Sequence, residues 1–210
     1  MTDFDVRIAR RWLETAATDL HDACQLLTEL DAERGDADHG VNMDRGFQAI
    51  HDALLLSPPA SAGECLTRAA LALRQAMGGT SGPLWSAALR RMGRTFGPLD
   101  PVSQELLAAA LADAARTIGE LGGAVEGENT MLDALLPAAR AFEASTLRGD
   151  PLVLAASEAA AAADEGAAST AGRAAIKGRA SYLGQRGAQA ADPGATSAAI
   201  IIRALSRAVA

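Results

Sequence analysis

Aromatic residues, positive charge and long apolar runs are all scarce in this sequence, and each shortage excludes a class of protein. Aromatics make up only 3% of the 210 residues, and because β-strands favour aromatic and β-branched residues, this argues against a β-sheet fold. The net charge of −7, from 26 acidic and 19 basic residues, argues against a general nucleic-acid binder, which needs a basic surface. No uncharged apolar run reaches membrane-spanning length, so we expect no membrane partner.

Cysteine is almost absent as well. Cys24 and Cys65 share no metal-binding or redox spacing, and two cysteines do not form a disulfide framework. Both are therefore expected to be small, buried or half-buried apolar groups. The first residues, MTDFDVRIARRWLE, are charged where a signal peptide needs an apolar stretch. These features and the chain length predict a cytoplasmic protein with a single domain over residues 1–210.

Alanine and leucine, by contrast, are abundant, and both are strong helix formers. Apolar spacing of three and four residues, interrupted by proline and glycine, predicts eight helices. They cover about 5–30, 42–56, 62–77, 83–95, 103–121, 130–145, 151–177 and 196–209. Ser103 is the expected N-cap of the fifth helix. Since the connections are short, we predict an all-α fold, an eight-helix antiparallel up-down bundle or barrel.

The chemically unusual residues all fall in four of the connections between these helices. They follow the first, third, fifth and seventh helices, at 31–46, 78–83, 122–131 and 178–195. In an up-down bundle, alternate connections lie at the same end. The sequence therefore predicts one functional site at one end of the bundle, with ordinary turns such as SPPASAG and LRGDP at the other end.

The first of these connections, within LDAERGDADHGVNMDRGF, carries Asp31, Asp36 and Asp38. Three close carboxylates repel one another unless a cation joins them, and Mg²⁺ prefers oxygen ligands that it shares with phosphate and water. The segment is not a calcium loop, because Asn42 stands where such a loop needs a glutamate. Taken alone, a metal site and a solvated acidic loop with local turns are about equally supported. His39 follows the aspartates, which would raise its pKa.

The other three connections carry weaker signals. GGTSGP at 78–83 places two hydroxyls at a helix start, where backbone N–H groups attract phosphate, but no GK[ST] follows, and a turn without a ligand explains it equally. Thr130 and Met131 begin another helix, where a simple cap is the alternative. Arg179 in KGRASYLGQR suits phosphate by its geometry, although a surface ion pair would also explain it.

Five segments together resemble one known family. GDADHGVNMDRGF, GGTSGPLW, NTMLDALLP, KGRASYLGQR and DPGATS are similar to the L subunit of dihydroxyacetone kinase, and the match is collinear from about Trp12 onward. The same domain forms one half of single-chain dihydroxyacetone kinases that use ATP. The resemblance implies an eight-helix antiparallel barrel that binds ADP or ATP at one end, in agreement with the convergence of the four connections.

The resemblance also implies roles for particular residues. Asp31, Asp36 and Asp38 match the family's three aspartates, which bind two Mg²⁺ ions that hold the nucleotide phosphates. The remaining candidates lie in the same four connections or begin the helices that follow them. The predicted nucleotide-binding residues are His39, Asn42, Met43, Thr80, Ser81, Gly122, Thr130, Met131, Arg179, Asp192 and Gly194. For Asn42 and Met43, helix cap and core packing are the alternatives.

A member of this family does not act alone. The resemblance implies a separate K subunit that holds dihydroxyacetone, or a related small ketose or polyol, covalently on a histidine, so that no nucleophile is expected in this chain. The phosphoryl donor would be ATP. It would be formed from bound ADP by a phosphotransferase-system M subunit, or it would bind from solution as free ATP. The alternative is a nucleotide-binding regulatory protein that partners a transcription regulator.

Two positions depart from the family pattern. Many members read GDKTM where this chain has Asn129, and GRASYLGER where it has Gln185. A lysine at position 129 would add a cation near the site. Because metal ions already neutralise the phosphates, and because we expect position 129 to be exposed, we predict that the missing charge affects the partner subunit rather than nucleotide affinity.

Overall fold

The structure, a computed structural model, describes residues 3–173 and 189–210. Within these ranges it contains nine α-helices: α1 Val6–Asp22, α2 Cys24–Arg34, α3 His39–Leu56, α4 Ala62–Ala76, α5 Ser81–Phe96, α6 Gln104–Gly122, α7 Leu132–Leu147, α8 Leu152–Ala168 and α9 Pro193–Val209. The β-type pairing in the described ranges is one isolated bridge between Phe4 and Val102. The all-α prediction is confirmed.

Eight of the helices form a closed ring. α1 packs against α3, each helix from α3 to α8 packs against the next in chain order, and α9 packs back against α1. Short connections make neighbours in this ring antiparallel. The predicted eight-helix barrel is therefore confirmed, with one change: the first predicted helix is divided at Ala23, and its second part, α2, lies against α3.

A close contact between α2 and α3 lies next to this division. A Cβ atom on Gly40 would lie 2.1 Å from the carbonyl oxygen of Cys24 and 2.4 Å from Thr28 Oγ1. Only glycine allows the first turn of α3 to approach the start of α2 so closely. Neither glycine nor proline occurs at position 23, so the sequence carries no local signal for the break.

The barrel interior is filled mainly by alanine and leucine, with a few large side chains. Trp12 is 2% exposed, and its Nε1 donates a hydrogen bond to the carbonyl oxygen of Ile201 at 2.9 Å, which ties α1 to α9. Cys65 is buried and Cys24 is half-buried, both with free thiols, as predicted. Burial raises the pKa of the Cys65 thiol to about 12. In the described ranges, no helix has the length and apolar character needed to cross a membrane.

Three predicted helix boundaries are wrong in places that matter for the site. α2 continues through Arg34, so Asp31 lies in a helical turn rather than in a loop. α9 begins at Pro193 rather than at residue 196, because the Asp192 carboxylate accepts the N–H of Ala195 and caps the helix, and proline suits a first helical position. The seventh predicted helix ends at Ala168, and residues 174–177 of that prediction lie outside the described ranges.

Smaller differences affect the other helix starts at the same end. α3, α5 and α7 begin at His39, Ser81 and Leu132, each within three residues of its predicted start. At the opposite end, Ser103 caps α6 as predicted, since its Oγ accepts the N–H of Leu106 at 3.3 Å.

Candidate functional site

An open pocket lies at the end of the barrel where α3, α5, α7 and α9 begin. Its walls come from four separate stretches of sequence: Asp31, Arg34, Asp36, Asp38, His39, Gly79, Thr80, Ser81, Leu84, Asn129, Thr130, Met131, Asp192, Pro193 and Gly194. The predicted convergence of the four connections at one end is confirmed for the residues that the structure describes. The predicted nucleotide contact Arg179 and the departing position Gln185 lie outside those residues.

The three predicted metal ligands form one cluster in this pocket. Asp31, Asp36 and Asp38 each offer a carboxylate oxygen, and these three oxygens lie within 4.8 Å of one another. Mg²⁺ binds oxygen ligands at about 2.1 Å, so oxygens on a single ion are separated by at most about 4 Å. The cluster thus fits Mg²⁺ after a small inward movement, or two neighbouring ions. Asp36 and Asp38 are exposed and Asp31 is buried, which leaves the open side of the cluster toward the pocket.

Asp31 also organises the loop that carries the other two aspartates. Its Oδ2 accepts the backbone N–H groups of Asp38 at 2.9 Å and His39 at 3.1 Å, so it satisfies the first amides of α3. Between these residues Ala37 has φ of 60°, a left-handed conformation that alanine adopts only at a cost. Gly35 is needed because a Cβ there would lie 2.3 Å from Asp31 Oδ1. This strained, tightly bonded loop gathers the carboxylates.

The start of α5 faces the same pocket and offers backbone donors. Gly79, with φ of +69°, turns the chain into Thr80 and Ser81, and all three line the pocket. The N-cap residue Thr80 makes no side-chain hydrogen bond to the amides of α5. Free amides at a helix start, together with the positive end of the helix dipole, bind anions such as phosphate. The start of α5 therefore has the geometry that the predicted phosphate role of GGTSGP requires.

His39 connects the acidic loop to α9. Its Nε2 lies 2.9 Å from Ser197 Oγ, which in turn donates to the carbonyl oxygen of Gly194 at 3.0 Å. The side chain is buried, and burial lowers the pKa of His39 despite the charges of Asp31 and Asp38. The sequence-based expectation of a raised pKa was wrong, because it considered the acidic neighbours and could not include the loss of solvent.

Asn129 is not exposed, in contrast to the prediction. Its side chain is 2% exposed, its φ is 57°, and its Nδ2 donates to the carbonyl oxygen of Arg173 at 2.9 Å. The turn is held by Asp133, a buried carboxylate that accepts the N–H groups of Gly127 at 2.8 Å and Thr130 at 2.9 Å. Position 129 is thus part of the pocket wall.

Two other charged side chains are buried at this end, and sequence reasoning missed one of them. Arg34 is 1% exposed and lines the pocket, but its position in a helical pattern gave no reason to single it out. Asp192 was predicted as a nucleotide contact; it caps α9, and burial raises its pKa to about 6, while the N–H of Ala195 and the charge of Arg34 oppose that change.

Three predicted nucleotide-binding residues lie outside the pocket lining. Met43 is fully buried in the core, so the structure favours the alternative of core packing. Asn42 is buried beside the 78–83 turn, where a Cβ on Gly79 would lie 3.7 Å from its Nδ2, and its Oδ1 accepts from Arg45 Nη2 at 2.5 Å. Gly122 ends α6 next to Leu84, which does line the pocket.

The chain matches a known family model over most of its length. Residues 33–207 match the DAK2 domain. Among curated relatives, the ADP-binding subunit DhaL of the PEP-dependent dihydroxyacetone kinase of Escherichia coli is 33% identical, covering 93% of this chain and 93% of its own. The corresponding subunit of kinase 1 of Listeria innocua is 31% identical and covers 96% of both chains.

Longer proteins match as well. The D-erythrulose kinase of Mycolicibacterium smegmatis is 36% identical over 95% of this chain, but the match spans only 35% of that kinase. The crystal structure of the C. freundii dihydroxyacetone kinase in complex with AMP-PNP and Mg²⁺ superposes with a TM-score of 0.72 at 25% identity, covering 95% of this chain and 33% of that one. The native form gives a TM-score of 0.73 at 26% identity. The chain therefore belongs to the DAK2 domain family.

Proposed function

We propose that this chain binds ADP or ATP with two Mg²⁺ ions in the pocket at the end of the barrel, and donates the γ-phosphoryl group of ATP to a small ketose or polyol. The sugar, dihydroxyacetone or a related compound, is held covalently on a separate K subunit. In this reaction the bond between the γ-phosphorus and ADP breaks and a bond to the sugar oxygen forms. The protein is thus a phosphotransferase with an alcohol group as acceptor.

One observation carries the proposal: three carboxylates and an uncapped helix start face the same pocket. The carboxylates of Asp31, Asp36 and Asp38 converge within 4.8 Å, and the amides at the start of α5 border the same space. An acidic cluster alone would repel phosphate, and an N-terminal helix end alone would accept many anions. Together they suit an anion that arrives with divalent cations, as a nucleoside di- or triphosphate does.

The relatives support the same function. Those of similar length carry ADP binding and dihydroxyacetone kinase in their names, and the C. freundii kinase was crystallised with an ATP analogue and Mg²⁺. Some are named PEP-dependent and one PTS-dependent, which supports a phosphotransferase-system M subunit as a second partner. Others are erythrulose kinases, so the acceptor proposed here is the class of small ketoses rather than one sugar.

Each part of the pocket has a separate task in this proposal. Asp36 and Asp38, exposed on the loop, hold the metal, and Asp31 both holds the metal and fixes the loop through the amides of α3. Mg²⁺ held by these carboxylates would supply positive charge that offsets the negative charge of the phosphates in the transition state. The amides of Ser81 and Gly82 bind a phosphate. His39 holds the start of α3 against α9 through its contact with Ser197.

Titration calorimetry of ADP into the purified chain with Mg²⁺ tests the binding step. Asp36→Asn and Asp38→Asn should each weaken Mg·ADP by at least tenfold, which is about 1.4 kcal/mol, because each removes a charged oxygen ligand. Asp52→Asn is a matched control: Asp52 is also exposed and on α3, but thirteen residues, or about 20 Å of helix, beyond His39. Equal affinity for all four proteins would refute the metal assignment.

Reconstitution tests the transfer step. The chain alone should not phosphorylate dihydroxyacetone, because the proposal assigns the sugar to the K subunit, and turnover should appear when a cognate K subunit and ATP are added. Robust turnover without that subunit would contradict the proposed division of roles. A chain that binds Mg·ADP, supports no turnover with the K subunit, and instead binds a transcription regulator would favour the regulatory alternative.

A further inference from the structure

A groove lies on the outer side of the barrel, between α4 and α5. Its lining includes Thr67, Arg68, Leu71, Arg74, Ser86 and Arg90, and we refer to it as the α4–α5 groove. It shares no described residue with the pocket at the end of the barrel. Leu71 and Arg74 on α4 are three positions apart, and Ser86 and Arg90 on α5 are four apart, so each pair lies on one side of its helix.

The segment that forms this groove has a charge opposite to that of the chain. Residues 62–96 contain five arginines and one glutamate, a net charge of +4, whereas the other residues of the chain carry a net charge of −11. The glutamate, Glu64, pairs with Arg68 at 2.6 Å. Arg74 and Arg90 are exposed, and neither has an acidic partner within residues 3–173 and 189–210. The groove therefore carries positive charge that the described part of the chain leaves unneutralised.

A groove on the far side of the helix ring provides a comparison. It lies beside α8 and α9 and contains Arg203 and Arg207, which are also exposed. There Arg203 pairs with Asp164 and Arg207 pairs with Asp19. This second groove, which we call the α8–α9 groove, supplies its own counter-charges. The α4–α5 groove does not, so its arginines suit an acidic ligand.

The two helices hold the α4–α5 groove in a fixed shape. Ser86 Oγ donates a hydrogen bond to the carbonyl oxygen of Ala70 at 2.7 Å and is buried between the helices. A Cβ atom on Gly93 would lie 2.5 Å from Thr67 Oγ1 and 2.7 Å from the carbonyl oxygen of Gly63, so the helix backbones are in close contact. A surface that is ordered before binding loses less conformational entropy when a ligand docks.

We propose that the α4–α5 groove binds an acidic amphipathic helix of a partner protein, with an apolar side chain on Leu71 and carboxylates beside Arg74 and Arg90. Leu71 is 59% exposed, and it lies in the groove between the two arginines that lack acidic partners. A groove between two helices accepts a third helix through an apolar anchor, and flanking charges fix its orientation. This inference goes beyond the proposed function, because it requires no nucleotide.

The chemistry of the groove disfavours other occupants. A second copy of the chain in a symmetric dimer would place this face against itself, and arginine would then repel arginine. A nucleic acid would be repelled by the net charge of −11 on the rest of the chain. A membrane surface requires a broad apolar face, whereas Leu71 is the one exposed large apolar residue in the described segment 62–96.

A designed peptide tests the proposal. The probe is a helical peptide of about 18 residues, or five turns, with glutamates and one central leucine on the same face. It is titrated into the nucleotide-free chain, and binding is followed by fluorescence anisotropy and by amide shifts in NMR spectra. We expect the shifts to centre on Thr67, Leu71 and Ser86, and the affinity to fall as salt is added.

Two double variants locate the binding site. Arg74→Glu with Arg90→Glu should weaken peptide binding at least tenfold, since like charges then face each other. Arg203→Glu with Arg207→Glu in the α8–α9 groove changes the net charge equally and should alter the affinity by less than about twofold, because long-range attraction is screened by salt. Circular dichroism and a cooperative melt establish that each variant folds. If the first double variant does not fold, Arg74→Gln with Arg90→Gln replaces it and should weaken binding about fivefold.

Several results would overturn the proposal. Equal weakening by both double variants would mean that the peptide is attracted by overall charge and does not dock in the α4–α5 groove. Equal binding of a peptide with glutamine in place of every glutamate would refute the role of the arginines. Tighter binding of a DNA duplex or of phosphatidylserine vesicles than of the acidic peptide would assign the face to another ligand. The absence of shifts at the groove with millimolar peptide would refute the site itself.

Discussion

The two ends of the barrel are built from the same helices but differ in what they bury. Among the described residues, the charged side chains and the histidine that are buried all lie at the pocket end: Asp31, Arg34, His39, Asp133 and Asp192. At the opposite end the buried polar side chains are neutral, as with Gln104 and Ser145. Buried charge costs stability unless it is paired or used. This difference indicates that one end is shaped for binding and the other for closing the fold.

Backbone conformation shows the same contrast. At the opposite end the left-handed positions are glycines, Gly97 and Gly149, which adopt that conformation without strain. At the pocket end two residues with side chains, Ala37 and Asn129, are left-handed. Strain of this kind persists where the surrounding hydrogen bonds enforce it, and it is concentrated at functional sites. Here Asp31 and Asp133 provide those bonds.

The largest expected effect on stability comes from Gly40→Ala at the pocket end. The added Cβ would lie 2.1 Å from the Cys24 carbonyl oxygen, a backbone atom that cannot rotate away. The free energy of unfolding should fall by about 3 kcal/mol, the upper part of the usual range for overpacking. Urea denaturation measures it. At the opposite end, Gly149→Ala meets no atom within 4 Å and should cost only the backbone strain, about 1 kcal/mol. Equal losses in the free energy of unfolding for Gly40→Ala and Gly149→Ala would contradict the difference between the two ends.

A pH effect of intermediate size should arise from Asp192. Burial raises its pKa from 3.8 to about 6, so between these values the folded chain binds a proton that the unfolded chain has released. The stabilising contribution of this group is complete below pH 3.8 and is lost as the pH rises through 6. Asp192→Asn keeps a good N-cap and removes the titration.

The measurement is the difference in free energy of unfolding, parent minus Asp192→Asn, in metal-free buffer. It should fall by roughly 2–3 kcal/mol from pH 4 to pH 7, since each pKa unit corresponds to about 1.4 kcal/mol. A difference for Asp192→Asn that is independent of pH would show that its pKa is not raised.

The smallest effect is expected from Ala37→Gly. Glycine relieves the left-handed strain of about 1–2 kcal/mol but loses more entropy on folding, so we expect a net gain in stability of about 0.5–1 kcal/mol by thermal or urea melts. Because a looser loop holds its carboxylates less firmly, Mg·ADP affinity should fall by a few fold. A variant that is more stable and also binds more tightly would show that the strain has no role in binding.

The sequence predicted the parts of this structure that depend on local chemistry and periodicity. The eight-helix ring, the Ser103 cap and the convergence of Asp31, Asp36 and Asp38 with the 78–83 turn all followed from helix spacing, proline and glycine breaks, and alternating connections. Family resemblance added the roles of the individual residues, which remain to be tested by binding.

What the sequence could not predict depends on burial. Arg34 occupies an ordinary helical position, and its hydrogen bonds to the carbonyl oxygens of Thr170, Arg173 and Ala190 are long-range contacts that no local pattern predicts. His39 was expected among charges and Asn129 in solvent. In the structure both side chains are buried: His39 contacts Ser197, and Asn129 lies in a turn that Asp133 holds. The break at Ala23 likewise has no local signal, because it accompanies the approach of α3 at Gly40.

Amide hydrogen exchange with and without Mg·ADP tests the difference between the two ends most directly. We predict that ligand slows exchange at the pocket end, in peptides covering 31–42, 79–84, 127–134 and 190–195, and leaves the opposite end, at 57–61, 97–103 and 148–151, unchanged. Mg²⁺ or ADP alone should protect much less than both together. Protection at the opposite end, or none at either end at concentrations that saturate the E. coli ADP-binding subunit, would contradict the account.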